Sequence, residues 1–241
     1  MGGMMKRAVN SYAWGGVFIA LGIMILGLFL FKGIAHFKAG ERVVTVKGLS
    51  EREVKADKVI WPLVYKQAGN NIAVLYNDIE KTKNKIIKFL VSNGISENEI
   101  TVSPVSVIDE EADRYSQQNI KFRYKTTAVI TVVTDKVDLA RNLMSKQNDL
   151  IKQGVALAGG DYQYQTIFSY NGINDIKPEM IVEATQNARL SAEKFAKDSD
   201  SKLGKIKTAN QGQFSISDRD VNTPHIKIVR VVTTVQYYLK D

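Results

Sequence analysis

His36 and His225 are the only imidazoles in a chain that has no cysteine, and no spacing joins either to a second ligand. Zinc and iron centres need several such donors converging on one point, so the sequence predicts neither a metal nor a cofactor. Serine elbows, phosphate-cradling loops and dinucleotide fingerprints are also absent. Gly159-Gly160 precedes a strand pattern, leaving no helix N-terminus to hold a phosphate, and reads as a turn. His225, directly after Pro224, reads as a loop residue. The acidic run Asp109, Glu110, Glu111 and Asp113 offers oxygen ligands for calcium, or a hydrolytic carboxylate in Asp109 or Glu111. Calcium loops space their ligands at alternate positions around a glycine, which this run lacks. Paired catalytic carboxylates need rigid placement that a polar loop does not supply, and the run is expected to be solvated. Tyr162, Tyr164, Phe168 and Tyr170 alternate along a strand pattern. Such a stripe belongs to a core or, if exposed, to a protomer interface.

The elements that would position these groups follow from periodicity. Glu41–Ser50 and Val54–Gln67 read as two strands joined by a turn near Gly48–Arg52, with Pro62 marking an edge or a bulge. Asn70 or Asn71 caps a helix with Ile72, Leu75, Tyr76, Ile79, Ile86, Phe89 and Leu90 inward, closing on Gly94. Ile100–Ile108 is a strand interrupted at Pro104, and Phe122–Thr134 alternates strictly. Asp135 caps a helix to Gln153, and Tyr162–Asn171 is a further strand. A helix starting at Asp175, with Pro178 in its first turn, runs to about Ser201 and carries Met180, Ile181, Ala184, Ala188, Ala192 and Phe195 inward. Lys205–Gln213 is a weak strand, Phe214–Pro224 a polar loop and Ile226–Leu239 a long final strand. The order ββαββαβαββ predicts an α+β fold, a mostly antiparallel sheet packed by about three helices.

Ahead of this lie 19 consecutive apolar or glycine residues, Ala13–Phe31, in a stretch uncharged from Ala8. At 1.5 Å per residue they reach roughly 28 Å, the thickness of a hydrocarbon core. Lys6, Arg7 and a Gly33-Ile34-Ala35 junction also fit a cleaved signal peptide, but the apolar run exceeds the usual length of one. The expected organisation is a short cytoplasmic tail (1–11), a transmembrane anchor (12–35), a linker (36–42) and one α+β domain (43–241). Lys6 and Arg7 face Lys32, Lys38 and Arg42 across the apolar run, so charge alone leaves the orientation open. Half of the formal net charge of +8 comes from Lys6, Arg7, Lys32 and Lys38, and no run of five like charges appears. A nucleic-acid partner is therefore not expected.

The segments VVTVKGLSEREVKADKV, FLVSNGISENEITVSPVSV, RYKTTAVITVVTD, ARLSAEKFAKDSDSKLGKI and VRVVTTVQYYL stand in an order that resembles the SIMPL (DUF541) family from Val43 to Leu239. Val46-Lys47-Gly48, Gly94-Ile95 before Thr101, and Leu203-Gly204-Lys205 carry the likeness. Pro62 and the Ala73-Val74-Leu75-Tyr76 helix start depart from it. The resemblance implies an exported bacterial envelope protein facing the periplasm, and so supplies the orientation that charge left open: the expected anchor lies in the inner membrane with the domain in the periplasm. It also implies oligomeric assembly and an association with stress tolerance, and it supplies no catalytic residues. The expected function is a non-catalytic, membrane-anchored module that forms a homo-oligomer or holds envelope partners. The alternatives are a ligand-binding or sensory domain, and an envelope hydrolase.

Overall fold

The computed structural model describes residues 2–39, 42–112, 121–160 and 162–240. Helix α1, Gly2–Ala39, contains the apolar stretch Gly16–Ile34, with a mean hydropathy of 2.5 and no residue buried. It is long and apolar enough for a membrane anchor or a signal sequence. The elements that follow are β1 (Val43–Lys55), β2 (Lys58–Gly69), α2 (Ile72–Ser92), β3 (Ile100–Val102), β4 (Ser106–Asp109) and β5 (Tyr124–Thr134). Then come α3 (Val137–Ser145), α4 (Asn148–Lys152), β6 (Ile167–Ser169), α5 (Ile173–Asp198), β7 (Lys202–Gln211), β8 (Ser215–Asp218) and β9 (Ile226–Lys240). The fold is α+β, and its strands form two antiparallel sheets instead of one: β3-β5-β2-β6 with β4 also on β5, and β1-β9-β7 with β8 also on β9.

The chain divides into two compact units, the first Met1–Leu49, Ile181–Gly212 and Val232–Asp241, the second Ser50–Met180 and Gln213–Val231. In the second unit, Trp61, Leu63 and Tyr65 of β2 stand opposite Val132, Ile130 and Ala128 of β5. The alternating face predicted for each strand is one buried surface, covered by Leu75, Ile79, Ile86 and Leu90 of α2 and by Ala140, Leu143 and Leu150. Asn71 caps α2, its Oδ1 accepting from the Ala73 and Val74 amides, and Gly94 ends it with φ +96°. Ile72 and Tyr76, expected inward, are exposed. They stand on the rim of a cleft of about 350 Å³ shared with Val102, Pro104, Val105 and Val107, so the stripe outruns the sheet that covers the rest of it. Pro62 pairs with Thr131 of β5, while β6 reaches only from Lys58 to Ile60. The proline thus falls where β2 has lost its second neighbour, as an edge assignment requires.

Several boundaries differ from the sequence reading, each for a local reason. The β1–β2 turn lies at Ala56-Asp57 instead of Gly48–Arg52. The Asp57 carboxylate accepts from the Asn171 and Gly172 amides at 2.8 and 2.9 Å, and the Ala56 amide donates to the His225 carbonyl at 2.8 Å. Those partners lie more than 100 residues away and leave no local trace. The helix expected over 135–153 is two, α3 and α4. The Ser145 hydroxyl donates to the Asn142 carbonyl at 2.6 Å and competes with the helical ladder, and the restart leaves Ile151 exposed while Leu150 is buried. Helix α5 starts at Ile173, so Pro178 stands in the second turn, and only the Asn174 carbonyl loses its intrahelical donor. Part of the polar loop 214–224 is strand β8.

The first unit is built on close approach. Met180 closes the second unit's end of α5, and Ala184, Ala188, Ala192 and Ala196 continue its four-residue spacing as buried residues. Phe195, predicted to point inward, is 60% exposed, because the buried row takes Ala196 instead. Val46, Val235 and Tyr237 fill the core against Ala188 and Ala192. Gly48 lies against the alanine row, where a Cβ would stand 2.4 Å from the Ala188 nitrogen.

Candidate functional site

The described acids of the run, Asp109, Glu110 and Glu111, are each paired with a cation. Arg123 forms a fork on Asp109, with Nη2 to Oδ2 at 2.9 Å, and its Nη1 reaches Glu111 at 3.0 Å; Lys125 pairs with Glu110 at 2.8 Å. The Arg123 hydrogen bond holds the Asp109 carboxyl below the usual carboxylate range, and Asp109 in turn raises Arg123. Asp113 lies outside the described residues. Among the described residues no three His, Asp or Glu side chains are gathered to hold a metal ion. A carboxylate tied into a fork by guanidinium is a poor base, since its lone pairs are committed and its basicity is lowered.

The tyrosine stripe is broken up. Tyr162–Tyr164 is one turn of 3₁₀ helix, and only Ile167–Ser169 is strand. Tyr162 is 90% exposed, Phe168 is buried, and Tyr164 and Tyr170 are half-buried. The Tyr170 hydroxyl donates to the Gly172 carbonyl at 2.9 Å. The alternation is one of residue types only: with three residues per 3₁₀ turn, Tyr162 and Tyr164 do not share a face as they would in a strand. His225 packs edge-on to Phe168 with ring centroids 6.1 Å apart, and burial followed by the charges of Arg141 and Arg219 lowers its pKa. It acts through its backbone carbonyl on the β1–β2 turn, as a loop residue. The side chain of His36 lies outside those described.

Two further polar groups are structural. Glu99, in a 3₁₀ turn capped by Ser96, accepts from Thr134 Oγ1 at 2.6 Å, the Ser96 amide at 2.7 Å and Lys136 Nζ at 3.1 Å. The Thr134 bond, then the Ser96 bond, hold its carboxyl down at about 2. Tyr65 lies in the second unit's core, where burial, reinforced by Glu80, pushes its phenol up to about 12.

The group with free chemical capacity lies in the first unit. A cleft of about 640 Å³ opens between α5 and β7, walled by Ile181, Val182, Leu203 and Ile206 and floored by Tyr237. That volume falls in the range of small-molecule sites. Arg189 and Glu193 line it from α5, four residues apart and joined Nε to Oε1 at 3.0 Å, and Lys205 lines it from β7. The β7–β9 register slips once between Leu203 and Ile206 and again between Ile206 and Thr208. Bulges of this kind re-aim side chains, and here they set Gly204 against β9, where a Cβ would lie 2.8 Å from the Tyr238 carbonyl. The sequence marked Leu203-Gly204-Lys205 as punctuation only. Its one available signal was a glycine inside a strand pattern.

A family model described as SIMPL, protein of unknown function (DUF541), matches residues 44–233. No curated protein matches the chain.

Proposed function

The chain belongs to the SIMPL (DUF541) family, and on that premise we propose that it is a bacterial envelope protein, tethered to the inner membrane by one N-terminal span, whose periplasmic domain works by association and not by catalysis. The observation that carries the reading is the segment Gly16–Ile34, 19 residues with none buried. A helix apolar on every side and covered by nothing is stable only in a low-dielectric surround. The pairing of Asp109, Glu110 and Glu111 with Arg123 and Lys125 supports the non-catalytic part. Tyr162, the outward member of the aromatic set, is the residue offered to a homo-oligomer or an envelope partner.

Alkaline carbonate extraction of membranes, with a reporter fused after Asp241, tests the tether. The full chain should stay in the pellet with the reporter active outside the cytoplasm. Release into the supernatant of protein beginning after Ala35 would refute it. Cross-linking of the full chain in membranes should give discrete multimers that Tyr162→Asp weakens. A ladder unchanged by that substitution would remove Tyr162 from the interface. A ligand-binding domain is the second reading, favoured by the cleft of the first unit.

A further inference from the structure

Tyr237 is 4% exposed and lines the α5–β7 cleft, yet its hydroxyl has no hydrogen-bond partner among the described residues. That hydroxyl is not among the buried polar atoms left unsatisfied, so it stays open to solvent in the cleft. Arg189 spends Nε on Glu193 and leaves its two terminal amino groups without a partner among the described residues. Lys205 on the opposite wall likewise has no carboxylate partner there. Two cations against one carboxylate give the cleft one net positive charge. Val182 and Ile206 are about half exposed where they face it. The lining of the cleft therefore includes an unused fork of N–H donors, an ammonium and a hydroxyl, beside aliphatic walls.

We propose that this cleft binds a single-chain amphipathic carboxylate, with the head group on the terminal amino groups of Arg189, Lys205 Nζ and the Tyr237 hydroxyl, and the aliphatic chain along Val182, Leu203 and Ile206. A monoanion matches the net charge of the site. A cationic amphiphile would find Glu193 already taken by Arg189 and would face two like charges. A neutral alcohol would leave the guanidinium fork unused, and that fork is the geometry suited to a carboxylate. The Leu203-Gly204-Lys205 bulge has a role in this reading, since it places one apolar and one cationic side chain of adjoining positions around the same space.

The test uses the full chain in nanodiscs of zwitterionic lipid, with octanoate as the probe, empty discs subtracted, and octan-1-ol and octyltrimethylammonium as controls. Octanoate should bind saturably, one per chain, and slow amide exchange over Lys202–Ile206. Arg189→Gln should weaken binding about tenfold, and Tyr237→Phe and Lys205→Gln each several-fold, with the melting temperature unchanged. Absence of saturable binding to the parent chain overturns the proposal. So does equal binding of either control, or octanoate binding that none of the three substitutions weakens. Should Arg189→Gln unfold the protein, the other two variants decide alone. The exchange readout lies in the cleft, so its result is separable from failure of the membrane tether.

Discussion

A methyl group placed on Gly48 would lie 1.8 Å from the carbonyl oxygen of Ala184. Strand β1 and helix α5 meet there backbone to backbone, and the small residues along α5 exist to permit it. Gly48→Ala should therefore destabilise the protein by about 3 kcal/mol, the upper range for overpacking a core. Ala188→Leu should be comparably harmful, whereas Phe195→Ser on the exposed side should shift stability by no more than about 0.5 kcal/mol. Urea titration of the full chain followed by circular dichroism ranks the three.

Glu99 gives a pH dependence with a defined sign. Its carboxyl is held at about 2, below its ordinary value of 4.5. The native state thus binds fewer protons than the unfolded chain, so the stabilisation is complete above about pH 4.5 and is lost as the pH falls towards 2. Glu99→Gln should lower stability at pH 7 by about 1–2 kcal/mol, from its bonds to Thr134, Ser96 and Lys136. The difference between variant and parent in denaturant midpoint should shrink steadily between pH 4.5 and 2.

Tyr65 acts at the other end of the scale. Burial raises its phenol to about 12 while the unfolded chain ionises near 10. The native state keeps a proton that the unfolded state releases, and stability falls as the pH climbs from 10 to 12. In an ultraviolet alkaline titration, Tyr65→Phe should remove the last tyrosine step before unfolding and move alkaline unfolding to higher pH.

The carboxylates of the 109–113 run should prove dispensable for function. Replacing Asp109, Glu110, Glu111 and Asp113 together by Ala breaks the pairs that the first three make with Arg123 and Lys125 at a largely exposed surface, where water and salt screen them. The variant should keep the parent's multimer pattern in membranes, and neither calcium nor a chelator should move the melting temperature of either protein. A calcium-dependent rise of several degrees in the parent alone would restore the metal reading.

Legibility in the sequence followed the range of each interaction. The α2 cap, read as Asn70 or Asn71 and found at Asn71, and its end at Gly94 are set by neighbours within four residues, which is why the sequence shows them. The alternation of Val59, Trp61, Leu63 and Tyr65 was readable for the same reason. The turn at Ala56-Asp57 was not, because its hydrogen bonds come from Asn171, Gly172 and His225. Phe195 misled because a large apolar residue outweighs an alanine in any hydrophobic pattern. The structure instead selects for a narrow row, and only the approach of Gly48 reveals that.

By itself the sequence determined the apolar N-terminal helix, the α+β order, the family likeness and the lack of metal-ligand spacing, since each depends on composition or on short periods along the chain. Tertiary structure alone decided that the strands form two sheets, that Arg123 and Lys125 pair with Asp109, Glu110 and Glu111, and that Arg189, Lys205 and Tyr237 line one cleft. Those outcomes depend on which distant segments meet, and the pattern of a single segment carries no record of its partner.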